Sequence, residues 1–122
     1  MGHSKSEIMK LYFHTMDTAD FATSRSLFAD DAVYVRPPLG GTATDPFASS
    51  GTTSIEGLDA ISDFWERRGK RETRHVIKIE SATDSEWFAE GRVSVGDSEE
   101  RLFLCHVTFD PDDKIKRFVA IR

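Results

Sequence analysis

Apolar residues recur every three or four positions in the first part of the chain, which is the spacing of amphipathic helices. Ser4 followed by Glu7 forms a capping box and predicts the start of a first helix. Asp20 is a good N-cap for a second helix, and residues 54–57 lead into a third. The predicted core-facing side chains are Ile8, Leu11, Tyr12 and Met16, then Phe21, Ser24, Leu27 and Phe28, then Leu58, Ile61, Phe64, Trp65 and Arg68. Glu7, Lys10, His14 and Asp17 are predicted to lie on the solvent face of the first helix.

From residue 73 onward the period of the apolar pattern changes to two, which indicates strands. Strands are predicted over Thr73–Ser81, Glu86–Val95, Arg101–Phe109 and Lys114–Arg122, with a short earlier one over Ala32–Arg36. Helices first and a meander of strands last predict an α+β fold, with helices on one face of an antiparallel sheet. The chain fits a single domain over residues 1–122, with residues 1–3 expected to be disordered or tag-derived. Residues 37–53 are rich in Pro, Gly, Ser and Thr and are predicted to form a lid.

Composition excludes several classes of function. The formal net charge of −5 argues against a nucleic-acid binder, because neutralising phosphates needs clustered Lys and Arg. One cysteine excludes an internal disulfide and a thiolate cluster, and no His or carboxylate cluster has metal-ligand spacing. No Gly-rich turn indicates a nucleotide cofactor, and no signal peptide or membrane span is visible. We therefore expect a cytoplasmic protein with no metal or cofactor.

Two stretches that precede the strand meander carry a resemblance to a known superfamily. They comprise Tyr12, Asp20-Phe21 and Leu27–Ala32, then Ile55-Glu56-Gly57, Ala60-Ile61 and Phe64. They resemble the nuclear-transport-factor-2-like superfamily, which includes ketosteroid isomerase, limonene epoxide hydrolase, scytalone dehydratase and the SnoaL-like polyketide cyclases. The resemblance implies a cone, in which a curved antiparallel sheet wraps around three helices and encloses a pocket for a small, largely apolar or aromatic molecule.

The resemblance to ketosteroid isomerase retains one of its three catalytic groups. The oxyanion-hole tyrosine falls on Tyr12, whereas the general-base aspartate and the protonated aspartate fall on Arg36 and Cys105. A guanidinium has no acceptor site and cannot take a proton from carbon. Standard steroid isomerisation is therefore not expected.

The resemblance to limonene epoxide hydrolase is also partial. The water-holding tyrosine and asparagine fall on Tyr34 and Arg36, and the arginine of the site falls on Arg92. Its two catalytic aspartates are replaced by Ser94 and Ala120. Without these carboxylates there is no base for water and no acid for the epoxide oxygen, so epoxide hydrolysis is not expected.

Strand alternation, combined with these comparisons, predicts which side chains line the pocket. The predicted inward set is Tyr34 and Arg36, then Phe88, Glu90, Arg92 and Ser94, then Phe103, Cys105 and Val107. The predicted outward set is Trp87, Ala89, Gly91 and Val93 with Leu102, Leu104 and His106. An outward face this apolar needs cover, and a second sheet usually supplies it in this superfamily. A homodimer through the outer face of the sheet is therefore predicted.

Three charged side chains, Arg36, Glu90 and Arg92, fall on the predicted inward face, where charge is costly unless paired. In one interpretation Glu90 bridges an arginine and fixes the pocket wall. In another, an unpaired arginine awaits an anionic or enolic oxygen on the ligand. A strand parity shifted by one at a bulge would instead leave all three on the surface.

Histidine and cysteine give weaker signals. His75 alternates with Ile77 and Ile79, which fits a satisfied core histidine, while its position resembles the pocket histidine of several superfamily members. Cys105 and His106 are adjacent on a strand, point apart and cannot form a nucleophile–base pair. Cys105 is more typical of a small buried hydrophobe.

The leading hypothesis is an isomerase, cyclase or dehydratase that acts on a small carbonyl-bearing or phenolic molecule. Arg36 and Tyr12 would stabilise a developing enolate oxygen, and His75 would move the proton. Seven further residues would contact the ligand, with the first three packing its apolar body: Trp65, Phe88, Phe103, Tyr34, Glu90, Arg92 and Cys105. The alternative is a non-catalytic ligand-binding or protein-interaction module, which the loss of the superfamily's carboxylates favours.

Overall fold

A computed structural model describes residues 4–36, 53–97 and 99–121. These residues form helices α1 (Lys5–Thr18), α2 (Phe21–Ser26) and α3 (Leu58–Arg68), and strands β1 (Phe28–Arg36), β2 (Thr53–Glu56), β3 (Thr73–Ala82), β4 (Glu86–Val95), β5 (Arg101–Phe109) and β6 (Ile115–Ile121). The start over 1–3 and, apart from Thr53, the lid over 37–53 lie outside the described residues. Within the described ranges, none of the helices has the length and apolar character needed to cross a membrane.

The helices begin at the caps that the sequence predicts. The backbone N–H of Glu7 donates to the Ser4 hydroxyl at 3.2 Å, and that of Thr23 donates to the Asp20 carboxylate at 3.3 Å. Both bonds satisfy backbone donors that a helix start leaves without a partner. The predicted second helix is shorter than its apolar pattern suggested, because Phe28 already belongs to β1.

The strands form one sheet in the order β2-β1-β6-β5-β4-β3. The α+β fold class is confirmed, as are all five predicted strands. Two details differ from the expectation. The segment predicted only as a lead into α3 forms β2, and β1 pairs with β6 in parallel while the other pairs are antiparallel.

The predicted orientation of β4 is wrong. Trp87 is fully buried, whereas its neighbour Phe88 is 44% exposed. Ala89 and Val93 are likewise buried on the inner face, which packs against the helices, and Glu90 lies on the outer face. Side chains alternate along β4 as predicted, but the residues predicted to point inward point outward, and the reverse. In β5 the prediction holds, because Phe103, Cys105 and Val107 do face inward.

Gly91 shows why β4 must turn this way. A Cβ atom added there would meet the Val76 carbonyl oxygen at 2.6 Å and the ring of Phe103 at 2.7 Å. Since backbone cannot shift cheaply, only glycine fits at this position of the inner face. The missing side chain lets the Phe103 ring lie directly on β4.

The core is an aromatic cluster between the helices and the inner face of the sheet. Phe118 of β6 stacks on Tyr34 with ring centroids 4.9 Å apart and contacts Tyr12 at 5.0 Å. Trp65 of α3 packs edge-on against Phe28 at 5.3 Å. These rings fill much of the space that the curved sheet encloses.

Candidate functional site

The candidate site is a cavity of about 60 Å³ between α1, the last turn of α3 and the inner face of the sheet. Its wall is formed by Tyr12, Phe13, Met16, Tyr34, Arg36, Arg68, Arg71, Thr73, His75, Val93, Val95, Phe103, Phe118 and Ala120. Pockets for drug-sized ligands measure roughly 300–1,000 Å³. This cavity therefore suits a molecule well below drug size.

A hydrogen-bonded pair, Asp17 and His75, joins α1 to β3 beside the cavity. Nδ1 of His75 lies 2.6 Å from Oδ1 of Asp17, and the His75 backbone N–H donates to Oδ2 at 3.1 Å. The Thr73 hydroxyl donates to the same carboxylate at 2.7 Å. Asp17 therefore accepts three hydrogen bonds, and its side chain is only 19% exposed.

The pKa of Asp17 lies below its ordinary value. Burial alone would raise this pKa, but the hydrogen bonds and charge of His75 and the hydrogen bond of Thr73 outweigh it. An ionised carboxylate can only accept hydrogen bonds, so Nδ1 of His75 donates to Asp17. The tautomer that results leaves Nε2 of the neutral ring as the proton acceptor.

Two tyrosines of the cavity wall meet at their hydroxyl groups. The hydroxyls of Tyr12 and Tyr34 are 3.0 Å apart and buried. Burial raises the pKa of Tyr12 well above its ordinary value and Tyr34 raises it further, whereas the Arg68 guanidinium opposes them with a smaller effect. Tyr12 therefore stays protonated at neutral pH and can donate a hydrogen bond to an oxygen.

Three guanidinium groups border the cavity, from Arg36, Arg68 and Arg71. Arg36 of β1 lies over the ring of Phe64, with its Cζ atom 4.9 Å from the ring centroid. Arg68 ends α3, and its Nε is buried without a hydrogen-bond acceptor among the residues that the structure describes. No carboxylate stands among the described residues of the wall.

Comparison with protein families gives a match over residues 9–118, to the SnoaL-like domain. The chain belongs to the SnoaL-like domain family. The match runs from α1 into β6 and includes all the residues that line the cavity except Ala120. The predicted membership of the nuclear-transport-factor-2-like superfamily is thereby confirmed. No curated protein matches the chain.

Solved structures share the fold of this SnoaL-like domain at low sequence identity. An uncharacterised cystatin-fold protein from Novosphingobium aromaticivorans is 19% identical, with a TM-score of 0.73 over 99% of this chain and 100% of its own. A proposed polyketide cyclase from Sinorhizobium meliloti is 18% identical, with a TM-score of 0.69 over 93% of each chain. An LEH-like epoxide hydrolase from M. tuberculosis is 14% identical, with a TM-score of 0.71 over 94% of this chain and 75% of its own. At these identities the likeness concerns the fold alone.

Five of the ten predicted site residues line the cavity of the SnoaL-like domain. They are Tyr12, Tyr34, Arg36, His75 and Phe103. Trp65 and Cys105 are buried in the core and do not reach the cavity wall, because aromatic rings and neighbouring strands enclose them. Burial raises the pKa of the Cys105 thiol, which keeps it protonated.

The other three predicted site residues lie on the opposite face of the sheet. Phe88 stacks on His106 with ring centroids 4.4 Å apart. Nη1 of Arg92 lies 3.8 Å from Oε2 of Glu90, and both side chains are about one-third exposed. The prediction that these three side chains face the pocket is wrong, because the inner and outer faces of β4 are exchanged relative to the prediction.

Two residues of the site were missed in the sequence. Asp17 was placed on the solvent face of α1, although it lies one turn beyond Phe13, which lines the cavity. Arg68 was placed on the buried face of α3 together with Ile61 and Trp65, but was not connected with the pocket. Helical spacing, which can be read from the sequence, places both residues next to others that lie in or near the site.

Proposed function

We propose that this SnoaL-like domain is an enzyme that moves a proton on a small, largely apolar carbonyl or phenolic compound, as an isomerase, cyclase or dehydratase does. The observation that carries the proposal is the Asp17–His75 pair beside a cavity whose wall includes aromatic rings. A histidine whose Nδ1 is fixed by a carboxylate presents a basic Nε2, which is the arrangement of a general base. Asp17 acts here as a positioning residue.

The cavity also supplies groups for the oxygen of the substrate. Tyr12 remains protonated and Arg36 is permanently charged, so both can stabilise negative charge as an enolate forms. Tyr34 holds the Tyr12 hydroxyl at 3.0 Å and restricts where it can donate. Phe103 and Phe118 offer the apolar wall against which the body of the substrate packs.

Replacing His75 by alanine should abolish most of the proton transfer and leave ligand binding nearly intact. The readout is deuterium incorporation next to the carbonyl of small ketones, followed by NMR in D₂O with cyclopentanone and cyclohexanone as probes. Removing a general base should slow the exchange by about 100-fold. The dissociation constant of the ketone, from chemical-shift titration, should change little.

His14→Ala is the matched control, since His14 is an exposed histidine of α1. Exchange in this variant should equal that of the unmodified chain. If the unmodified chain does not accelerate exchange of any ketone that it binds, that result supports the alternative, a non-catalytic binding module. That alternative is favoured by the absence of a carboxylate in the described cavity wall.

We also propose that the partner of this chain is a second copy, bound through the outer face of the sheet. Exposed large apolar side chains gather there: Ile79, Phe88, Leu102, Leu104 and Ile121. All of them except Leu102 border a groove of about 360 Å³. Glu90 and Arg92 lie beside the apolar residues, so a two-fold arrangement can bring each charge against its opposite.

Leu104→Glu should convert the dimer into a monomer, because it places a charge in the apolar face. Sedimentation velocity between 1 and 100 µM measures the change. Leu11→Glu, at an exposed leucine of α1, should leave the dimer intact. If the unmodified chain is monomeric at 100 µM, the proposed dimer is refuted. The proposed proton transfer does not depend on this result.

A further inference from the structure

The Arg68 guanidinium has no assigned role in the proposed proton transfer. It lines the cavity from the last turn of α3, close enough to Tyr12 for its charge to act on the Tyr12 hydroxyl. Its Nε is buried and meets no acceptor, and none of the described residues forms an ion pair with it. A partly buried cation without a counterpart is costly, so such a group usually has a partner that binds to it.

Compensation of the helix dipole at the C-terminus of α3 is the simplest structural explanation for Arg68. Arg67 already fulfils that role from the same turn. It is exposed, and its Nε donates to the Asp63 backbone carbonyl at 3.4 Å. Helix-dipole compensation does not require a guanidinium that turns inward and buries its Nε.

We propose that the cavity selects small carboxylates, with Arg68 as the residue that binds the carboxylate group. This inference rests on the proposed function only in using the same cavity, and it narrows the substrate class from small carbonyl or phenolic compounds to those that also carry a carboxylate. The guanidinium fork matches the two oxygens of a carboxylate, and the exposed Arg71 at the rim attracts the same charge.

The rest of the wall determines what the carboxylate is attached to. Phe13, Met16, Val93 and Phe103 are apolar, and the cavity volume is about 60 Å³. A short apolar body attached to the carboxylate fits against these side chains. With the carboxylate at Arg68, the other end of the ligand is left for Tyr12 and His75.

The test compares crotonate with crotonamide, which has the same shape and no charge. Isothermal titration at low salt measures both dissociation constants for the unmodified chain and for Arg68→Gln. Crotonate should bind at least about tenfold more tightly than crotonamide, because a charge-assisted bidentate contact distinguishes them. In Arg68→Gln this ratio should fall to about one.

Arg67→Gln is the matched control, since it removes the same charge from the same helical turn and should keep the preference for crotonate. Arg68→Lys retains the charge without the fork and should give an intermediate ratio, which decides the matter if Arg68→Gln does not fold. Three results would overturn the carboxylate site. They are equal binding of the two probes, no binding of crotonate, and an equal loss of the preference for crotonate in Arg68→Gln and Arg67→Gln. The ketone-exchange assay is independent of this result, so failure of the carboxylate site and failure of the proposed function are separable.

Discussion

Phe118→Ala should lower the free energy of unfolding by about 3–5 kcal/mol, the cost of truncating a large buried aromatic side chain. Phe118 is 2% exposed and stands at the centre of the aromatic cluster. Its ring contacts Tyr12, Tyr34, Phe28 and Phe13, so truncation leaves a hole that none of these rings can fill without leaving its own neighbours. Chemical denaturation with urea at pH 7 measures the loss.

Leu11→Ala is the control for Phe118→Ala, because Leu11 lies on α1 and is 39% exposed. Its truncation should cost less than about 1 kcal/mol. A loss for Phe118→Ala below about 2 kcal/mol would mean that the cluster can collapse around the gap. The aromatic core would then rearrange more easily than the packing of its rings indicates.

Asp17→Asn should lower the free energy of unfolding by about 3 kcal/mol at pH 7, since it weakens hydrogen bonds to a charged group and leaves donors facing an amide. The loss depends on pH in a defined direction. The pKa of Asp17 is lower in the folded chain than its ordinary value of 3.8, so ionised Asp17 stabilises the fold above that value. This contribution disappears as the pH falls through the lowered folded pKa.

Urea denaturation of the unmodified chain and of Asp17→Asn at pH 7, 5, 4 and 3 tests this dependence. The two curves of stability against pH should converge at the acid end. Asp31→Asn, at an exposed carboxylate of β1, should show no comparable effect at any pH. A difference between the two chains that is the same from pH 7 to pH 3 would show that the charge of Asp17 does not stabilise the fold.

Local signals in the sequence predicted the elements well. Ser4 and Asp20 mark helix starts because their side chains bond to backbone donors within the next three residues, an interaction independent of the rest of the fold. The period-two pattern from residue 73 onward likewise identified the strands, because the alternation of side chains is a local property of a strand. The strand β2 escaped detection because it is only four residues long and follows the 37–52 segment.

The orientation of β4 could not be derived from its own pattern. Both faces carry large apolar residues, such as Trp87 and Phe88, and alternation shows only that they point apart. The decision comes from neighbours distant in sequence, since Gly91 must lie under Phe103 and against the backbone of Val76. The comparison with ketosteroid isomerase and limonene epoxide hydrolase favoured the opposite face and led to the error for Glu90 and Arg92.

The site was predictable where a side chain belongs to a strand that has one clearly buried face. Tyr34 and Phe103 are of this kind. His75 remained open between core and pocket because its partner Asp17 lies 58 residues earlier in the chain, on another element. Pairings across such a distance become visible only when α1 has been placed on β3.

The position of β6 has a consequence for synthesis. This last strand lies between β1 and β5, so it completes both halves of the sheet. While residues 115–121 are still inside the ribosome, β1 exposes an unpaired edge and the ring of Phe118 is missing from the interior. The sheet of the nascent chain therefore cannot be completed until residues 115–121 have emerged, and until then its open strand edges are prone to self-association.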